Sequence, residues 1–379
     1  MKIDALIIGG GMAGLWTLAT LRARGYGAVL LDIGALGGMQ TLASQGIIHS
    51  DSRYRLIGNP DESKPATSIM PGRWQEALRG HGDLNLCDAQ ILCAHQYLWT
   101  NANFTSKISG YLVSRRLGGQ LEKCSAEAYP PFLPGQFRGN CYTLNAIVLD
   151  MPSVLHTVAR QYAPWILTDC FWKENGRYIN VLCGGAMHRF QPRRVIYTAG
   201  RANSELTGNS QRYQPLHMAA LRVPRNAPDI FGHHLDSNGR LAITITTHRE
   251  KNCKIYYLGG QPAEDGIYLG ANEQIASLRA TLLKALPWIN KDWLADKAFY
   301  PFSVERISGH GDEEDVHEPV IVQRGRNLIA WPGKLTFAPL LAERLVALLP
   351  PANDNPDFQS GQIPRVGTHP WSAQSEFLQ

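Results

Sequence analysis

What this sequence has little of narrows its function before any motif is considered. Its 379 residues include only seven cysteines: Cys87, Cys93, Cys124, Cys141, Cys170, Cys183 and Cys253. None form a CxxC pair, the number is odd, and several sit in apolar runs. That excludes a disulfide framework or a cysteine zinc site and points to reduced, buried thiols in a cytoplasmic protein. No set of side chains has metal-ligand spacing. His233–His234, and His310 near the acidic run Asp312–Asp315, read as turn residues, and no metal is expected. There is no basic cluster and no Lys/Arg stretch interleaved with aromatics, so no nucleic-acid partner is expected. Charged residues make up only 18% of the chain, and the formal charge of +5 is spread along it. No apolar run approaches the roughly 20 residues that span a bilayer, and the apolar N-terminus breaks at its glycines. Neither an integral membrane segment nor a secretory leader is therefore expected. What is present is 44% hydrophobic residues with 36 Gly and 23 Pro, enough for a large core divided between two joined lobes.

"IDALIIGGGMAGLWTLATLRARGYGAVLLD" reads as strand, tight turn, helix, turn, strand. Ala5–Ile8 is a short apolar run suited to a strand buried on both faces. Gly9, Gly11 and Gly14 supply G-x-G-x-x-G. The first permits a sharp turn, the second lets a pyrophosphate approach the backbone, and the third lets the helix pack on the strand. A helix from Met12 through Ala13 to about Arg24 aims its free amides and positive dipole end at that pyrophosphate. Asp32, followed by Ile33, closes the second strand where a ribose hydroxyl needs an acceptor. The spacing leaves NAD and FAD both open.

Later segments continue the same lobe. A helix is expected from about Pro152 to Tyr162, followed by a strand to about Phe171 and a hairpin around Gly184-Gly185. The strand Val195–Thr198 then runs into Ala199-Gly200, where small residues let a cofactor come close. "NLIAWPGKLTFAPLLAERLVALL" repeats strand, small-residue turn and helix. Thr336 is the expected N-cap, and the amides of Lys334, Leu335 and Thr336 are placed to meet an anion. Between these pieces, Leu241, Ile243 and Ile245 alternate with Ala242, Thr244 and Thr246, which predicts antiparallel strands with one buried face. The following helix carries Ile275, Leu278, Leu282 and Leu283 on one side. A nucleotide-binding lobe is thus expected over residues 1–80, 145–215 and 300–350. A substrate lobe is expected over 81–144 and 216–299, with a surface tail, pinned by Trp371, over 351–379.

Taken together, the segments resemble the D-amino-acid-oxidase-like superfamily of FAD-dependent oxidoreductases, which includes glycine oxidase, sarcosine oxidase and glycerol-3-phosphate dehydrogenase. "GGGMAG" with Asp32 resembles its FAD fingerprint, and "ASQGIIHSDSRYRL" is similar to the "KLIHGGLRYL"-like segment of the dehydrogenases. "VIYTAG" fits a later strand-to-turn element, and "PGKLTFAPLLAE" resembles both "GGKLTTYR" and the "G…APxxG" end of the oxidases. The resemblance implies an α/β fold of glutathione-reductase-like, D-amino-acid-oxidase type: a Rossmann-type FAD-binding lobe with a parallel sheet plus an inserted substrate lobe with an antiparallel sheet.

It also implies roles for particular residues. Gly9, Gly11 and Gly14 face the pyrophosphate of FAD and Asp32 the adenosine ribose. Thr41, Ser44, Gln45, Gly46 and Ile47 run beside the pyrophosphate and isoalloxazine. Phe171 offers its backbone to the adenine, and Gly200 lies near the pyrophosphate. Gly333, Lys334, Leu335 and Thr336 approach the flavin edge that becomes negative on reduction, where a helix N-terminus and Lys334 stabilise it. Arg306 stands where the oxidases place their carboxylate-binding arginine, without the proline that follows it there. His49 matches the histidine of "HGG", although here the segment reads "HSD". His49, as base, substrate donor or flavin neighbour, and Arg306, as the anchor for an anionic substrate, are the catalytic candidates together with Lys334. Tyr256, Tyr257 and Tyr268 are candidate pocket residues, though adjacent Tyr256 and Tyr257 cannot face the same way. The expected activity is oxidation of a C–N bond in a small amino acid or amine by hydride transfer to flavin N5, with O2 or a quinone as electron acceptor. The alternatives are a dehydrogenase of a 2-hydroxy acid or polyol phosphate, and a flavin-binding partner or redox-sensing protein.

Overall fold

The computed structural model describes residues 1–48, 69–101, 121–309, 318–353 and 357–378. Its first sheet grows from the opening strand Lys2–Ile8, buried from Ile3 onward. That strand pairs in parallel with Ala28–Leu31 on one side and with the second half of Ala186–Tyr197 on the other. Ile166–Leu167 extends the sheet beyond Ala28–Leu31, and Asn327–Trp331 extends it beyond Ala186–Tyr197, both in parallel. Val320–Arg324 closes that edge antiparallel. Helices Met12–Ala23, Met151–Tyr162 and Ala338–Ala347 cover one face, packing Leu15, Leu18, Val158, Leu341 and Leu345 onto Ile7, Leu30, Ile196 and Leu328. The other face meets Ile179, Val181 and Phe190. Burial on both sides explains why these strands are apolar throughout rather than alternating.

The strand expected at Val195–Thr198 is part of a longer one that serves two sheets. Ala186–Phe190 forms a hairpin with Ile179–Cys183, and Gln191–Tyr197 joins the parallel sheet. The hairpin turns at Gly184 and Gly185, both with positive φ (56° and 80°), the conformation a two-residue turn requires.

The second sheet has eight strands in the order Phe299–Gly309, Arg212–Pro224, Cys253–Gly259, Leu241–Arg249, Gly232–Leu235, Gln96–Thr100, Asn140–Leu144 and Leu121–Lys123. It is antiparallel except where Gly232–Leu235 meets Gln96–Thr100. Helix Ala271–Ala285 seats Ile275, Leu278 and Leu282 on Ile243, Ile245, Tyr256 and Leu258, while Leu283 is only half-buried. Phe299–Gly309, expected in the nucleotide-binding lobe, pairs along Arg212–Pro224 in this sheet. His233 and His234, expected in a turn, are buried within Gly232–Leu235. The alternation in Leu241–Arg249 reflects two covered faces rather than one. Thr244, Thr246 and His248 are also buried, because the far side of the sheet packs against Ala43 and the tail residues Trp371 and Phe377. A small third sheet joins Ile47–Ile48, Ile147–Leu149 and Ile91–Cys93.

The tail does not merely lie on the surface. Arg22 and the Trp165 indole donate to Asp357, and Phe358 enters the core of the first lobe. Residues Arg365 to Gly367 pair with Leu36, and Trp371 is fully buried against the second lobe. The chain end therefore straps one lobe to the other.

Candidate active site

Gly9 leaves the opening strand at φ 114°, and a Cβ there would stand 2.6 Å from the backbone of Ala199. A Cβ on Gly14 would stand 2.0 Å from the Gly9 carbonyl oxygen. The turn and the helix–strand contact therefore each require glycine. Gly11 is less constrained, since its nearest neighbour would be Thr41 Oγ1 at 3.2 Å. Helix Met12–Ala23 begins with no side-chain cap and no acidic residue in its first turn. Thr41 Oγ1 accepts from Met12 N at 3.1 Å. A helix start with no capping anion of its own suits a phosphate.

Asp32 sits at the end of Ala28–Leu31 and accepts from Gly10 N at 2.6 Å and Gly34 N at 2.8 Å. Burial pushes its carboxyl above the ordinary value, outweighing the lowering by those two amides. Cys170 N donates to the Asp32 carbonyl, which brings Phe171 to the same end of the sheet. Ile33 and Phe171 are 70% and 76% exposed, large apolar surfaces of the kind a flat purine covers. Gly200, with φ 59°, follows Ala199 at the neighbouring strand end.

From Thr41 the chain crosses between the lobes. Ser44 Oγ donates to Thr41 O at 2.7 Å. Gln45 Nε2 donates to Tyr257 O at 2.9 Å, and Tyr257 Oη to Ala43 O. Gly46 has φ 66°, and a Cβ there would stand 2.0 Å from Leu149 O, so the protein's own backbone already dictates that glycine. Ile47 is buried and pairs with Val148. Ile47–Ile48 also packs against the turn Leu335–Phe337, so the early polar segment and the C-terminal motif converge in space. Gly333 takes φ 70°. Thr336 is not the helix cap: it lies within a 3-10 turn, and Ala338–Ala347 follows Phe337 with no side-chain cap. The Thr336 carbonyl instead accepts from the buried Trp74 indole at 3.1 Å. Lys334 is half-buried and extended just ahead of that turn.

Arg306 lies on Phe299–Gly309, in register with Gln214, and donates to Gln214 Oε1. Tyr300, Phe302 and Val304 on the same strand pack with Ala43. Strand alternation gives Arg306 that same side, toward the nucleotide-binding lobe. The strand also abuts the short helix Gly38–Leu42. Tyr257 shares that side through Ala43, whereas Tyr256 packs toward the helix face and Tyr268 is exposed. His49 lies outside the described residues, as do His310 and Asp312–Asp315.

Sequence reasoning missed several positioning residues. A Cβ on Gly10 would press on Leu36 and Asp32. Thr198 Oγ1 donates to Gly9 O at 3.1 Å. Asn203, wholly buried, accepts from Ala199 N and donates to Ala330 O, tying two strand-end turns together. A polar Asn just after the small-residue turn of "TAGRAN" was the available signal.

A split lobe with a glycine turn at a helix start that lacks a capping anion, an acid at the end of the second strand and a second, mostly antiparallel sheet define a two-lobed dinucleotide-binding protein. The model of the DAO family, FAD dependent oxidoreductase, matches residues 4–348, and the chain belongs to that family. It is 32% identical over 381 residues to the probable FAD-dependent oxidoreductase PA4991 of Pseudomonas aeruginosa, covering 96% of each chain. The crystal structure of that protein superposes with a TM-score of 0.79 at 28% identity over 98% of both chains. The FAD-bound L-alpha-glycerophosphate oxidase of Mycoplasma pneumoniae gives 0.63 at 15% identity, covering 98% of this chain and 100% of that one. Glycine oxidase from Geobacillus kaustophilus gives 0.57 at 14%, covering 97% and 100%. The protein is thus an FAD-dependent oxidoreductase. Among the described residues no helix is long and apolar enough to cross a membrane.

Proposed function

We propose that the protein oxidises the C–N bond of a small anionic amino acid or amine, with Arg306 anchoring the substrate's carboxylate. The carrying observation is the placement of Arg306 on the side of the second sheet that turns toward the cofactor lobe, beside Gln214. FAD, when bound, accepts the hydride and so supplies the redox chemistry. The chain's contribution is to bind and orient. Gly9, Gly11, Gly14, Met12, Ala13 and Thr41 would hold the pyrophosphate, Asp32 the ribose, and Ile33 and Phe171 the adenine. Ser44 to Ile47, with Ala199 and Gly200, would line the path between them, and the amides of Gly333 to Thr336 with Lys334 would face the edge that gains negative charge. Arg306 would fix the substrate through a bidentate contact, and water would then hydrolyse the released imine.

Alcohol oxidation needs a protein base for the hydroxyl proton, whereas a neutral amine does not. Among the described residues on this side of the two strands stand Gln214, Leu216, Met218, Tyr300, Phe302 and Val304, with neither carboxylate nor imidazole in that group. That supports the amine over the hydroxy-acid or polyol-phosphate reading. The relatives divide, one named for glycine and another for glycerophosphate, so they do not choose between the two. The buried, unpaired cysteines support a reducing, cytoplasmic setting.

The test is anaerobic mixing of the yellow protein with amino acids and amines, 2-hydroxy acids, and polyol phosphates. Bleaching by the first class alone is expected. Bleaching by either of the others instead would overturn the reading, and no bleaching at all would favour a flavin-binding partner protein. Arg306→Ala should weaken an anionic substrate by about 10- to 100-fold, the worth of a charge-assisted contact of roughly 1.5–3 kcal/mol, while FAD stays bound. Oxygen uptake during turnover then separates O2 from a quinone as acceptor.

A further inference from the structure

Three side chains from distant parts of the sequence meet at the junction of both lobes and the tail. Asp150 caps helix Met151–Tyr162, with one carboxylate oxygen accepting from Ser153 N. His248 belongs to the strand Leu241–Arg249, and His369 to the tail. One ligand atom from each lies within 4.8 Å of the other two. His248 and His369 are 2% and 7% exposed. Trp371 stacks on His369 at 4.4 Å and stands 5.2 Å from His248, and Tyr257 closes a further side at 6.0 Å from His248.

The protein leaves these imidazoles underused. Among the described residues His248 Nδ1 has no hydrogen-bond partner, which is costly for a buried polar atom. His248 Nε2 meets Thr246 Oγ1 at 3.1 Å. With Nε2–H donating there, Nδ1 carries a bare lone pair, the arrangement in which a hydroxyl orients a metal-binding histidine. His369 Nε2 stands 3.4 Å from Asp150 Oδ1, long for a charge-assisted hydrogen bond. It matches the ligand-to-ligand edge of about 3.4 Å in a tetrahedron with bonds of about 2.1 Å.

We propose that Asp150, His248 and His369 form a binding site for one divalent transition-metal ion, with Zn2+ the best match to two imidazoles and a carboxylate. Its ligands come from one lobe, the other lobe and the tail, so the ion clips the strap shut. The three protein ligands leave the fourth position of the tetrahedron to water, and the role is structural, since aromatic rings wall the site.

The test uses the FAD-loaded protein, stripped with a chelator and titrated with Zn2+ against a chromophoric competitor, with the unfolding midpoint followed in parallel. One Zn2+ per chain and a midpoint that rises with Zn2+ are expected. Asp150→Asn keeps a good helix cap and should lower Zn2+ affinity more than about tenfold, as should His369→Gln. Trp371→Phe, which alters the wall but no ligand, should retain binding. Should His369→Gln fail to retain FAD or fold, Asp150→Asn decides alone. Sub-stoichiometric binding, or affinity that Asp150→Asn leaves unchanged, would overturn the proposal.

Discussion

Replacing Gly14 by alanine tests whether the nucleotide-binding turn is built as described. The new methyl would stand 2.0 Å from Gly9 O and 2.7 Å from Thr198 Oγ1, whereas ordinary contact begins at 3.4 Å. The opposing oxygen belongs to buried backbone, so helix Met12–Ala23 must withdraw by about 1.4 Å, the difference between those distances. Overpacking of this kind costs about 1–3 kcal/mol. Losing the Thr198 Oγ1 bond to Gly9 O adds about 1 kcal/mol. A total of about 2–4 kcal/mol in a chain of this size lowers Tm by several degrees. Because the displaced element is the helix start that faces the pyrophosphate, FAD affinity should also fall at least tenfold, or about 1.4 kcal/mol. Equilibrium dialysis of FAD and thermal unfolding of the apo form measure the two effects separately. Gly72→Ala is the control: it sits in helix Met70–Leu78 with nothing within 4 Å of its Cβ, and it should leave Tm unchanged or slightly raised. If Gly14→Ala kept FAD and Tm as Gly72→Ala does, the reasoning would fail.

Three further outcomes follow from particular contacts. Burial pushes Asp229 up, but hydrogen bonds from Lys254 and Arg249 more than offset it, and its pKa is depressed. A depressed carboxylate contributes stability above its unfolded value near 3.9 that is lost as pH falls through the folded one. Tm of the wild type should therefore drop more steeply below about pH 4 than that of Asp229→Asn; parallel slopes would refute the assignment. Of the cysteines, Cys87 is exposed, Cys93 half-buried and the other five buried. A thiol reagent should modify Cys87 fast and Cys93 slowly on the native protein, and all seven only after unfolding; several fast thiols in Cys87→Ser would contradict this. Gln45→Ala removes a donor to Tyr257 O and should cost about 1 kcal/mol, read as a lower denaturant midpoint, with no change expected in the Asp229 pH effect.

Legibility in the sequence followed the distance over which each requirement is met. Gly9, Gly14 and the strand and helix around them could be read directly, because turn, helix start and packing partner are adjacent along the chain. Gly46 could not be read in full. The sequence justifies a glycine there for cofactor approach, but its tightest neighbour is Leu149 O, on a strand from another part of the chain. Thr336 looked like a helix cap because it precedes "FAPLLAE", yet a 3-10 turn intervenes and the α-helix starts after Phe337. Nothing local says which sheet Phe299–Gly309 joins, and its partner is Arg212–Pro224. The same limit hid Asp150, His248 and His369, since metal-ligand spacing is a local signal and these three meet only after both lobes and the tail have folded. Arg306 is the intermediate case. The resemblance to the oxidases suggested an anion anchor, but only register with Gln214 and alternation with Val304 and Phe302 say which way it points. A guanidinium one residue earlier or later on that strand would face the opposite side of the sheet. The substrate proposal thus depends on sheet register as much as on residue identity.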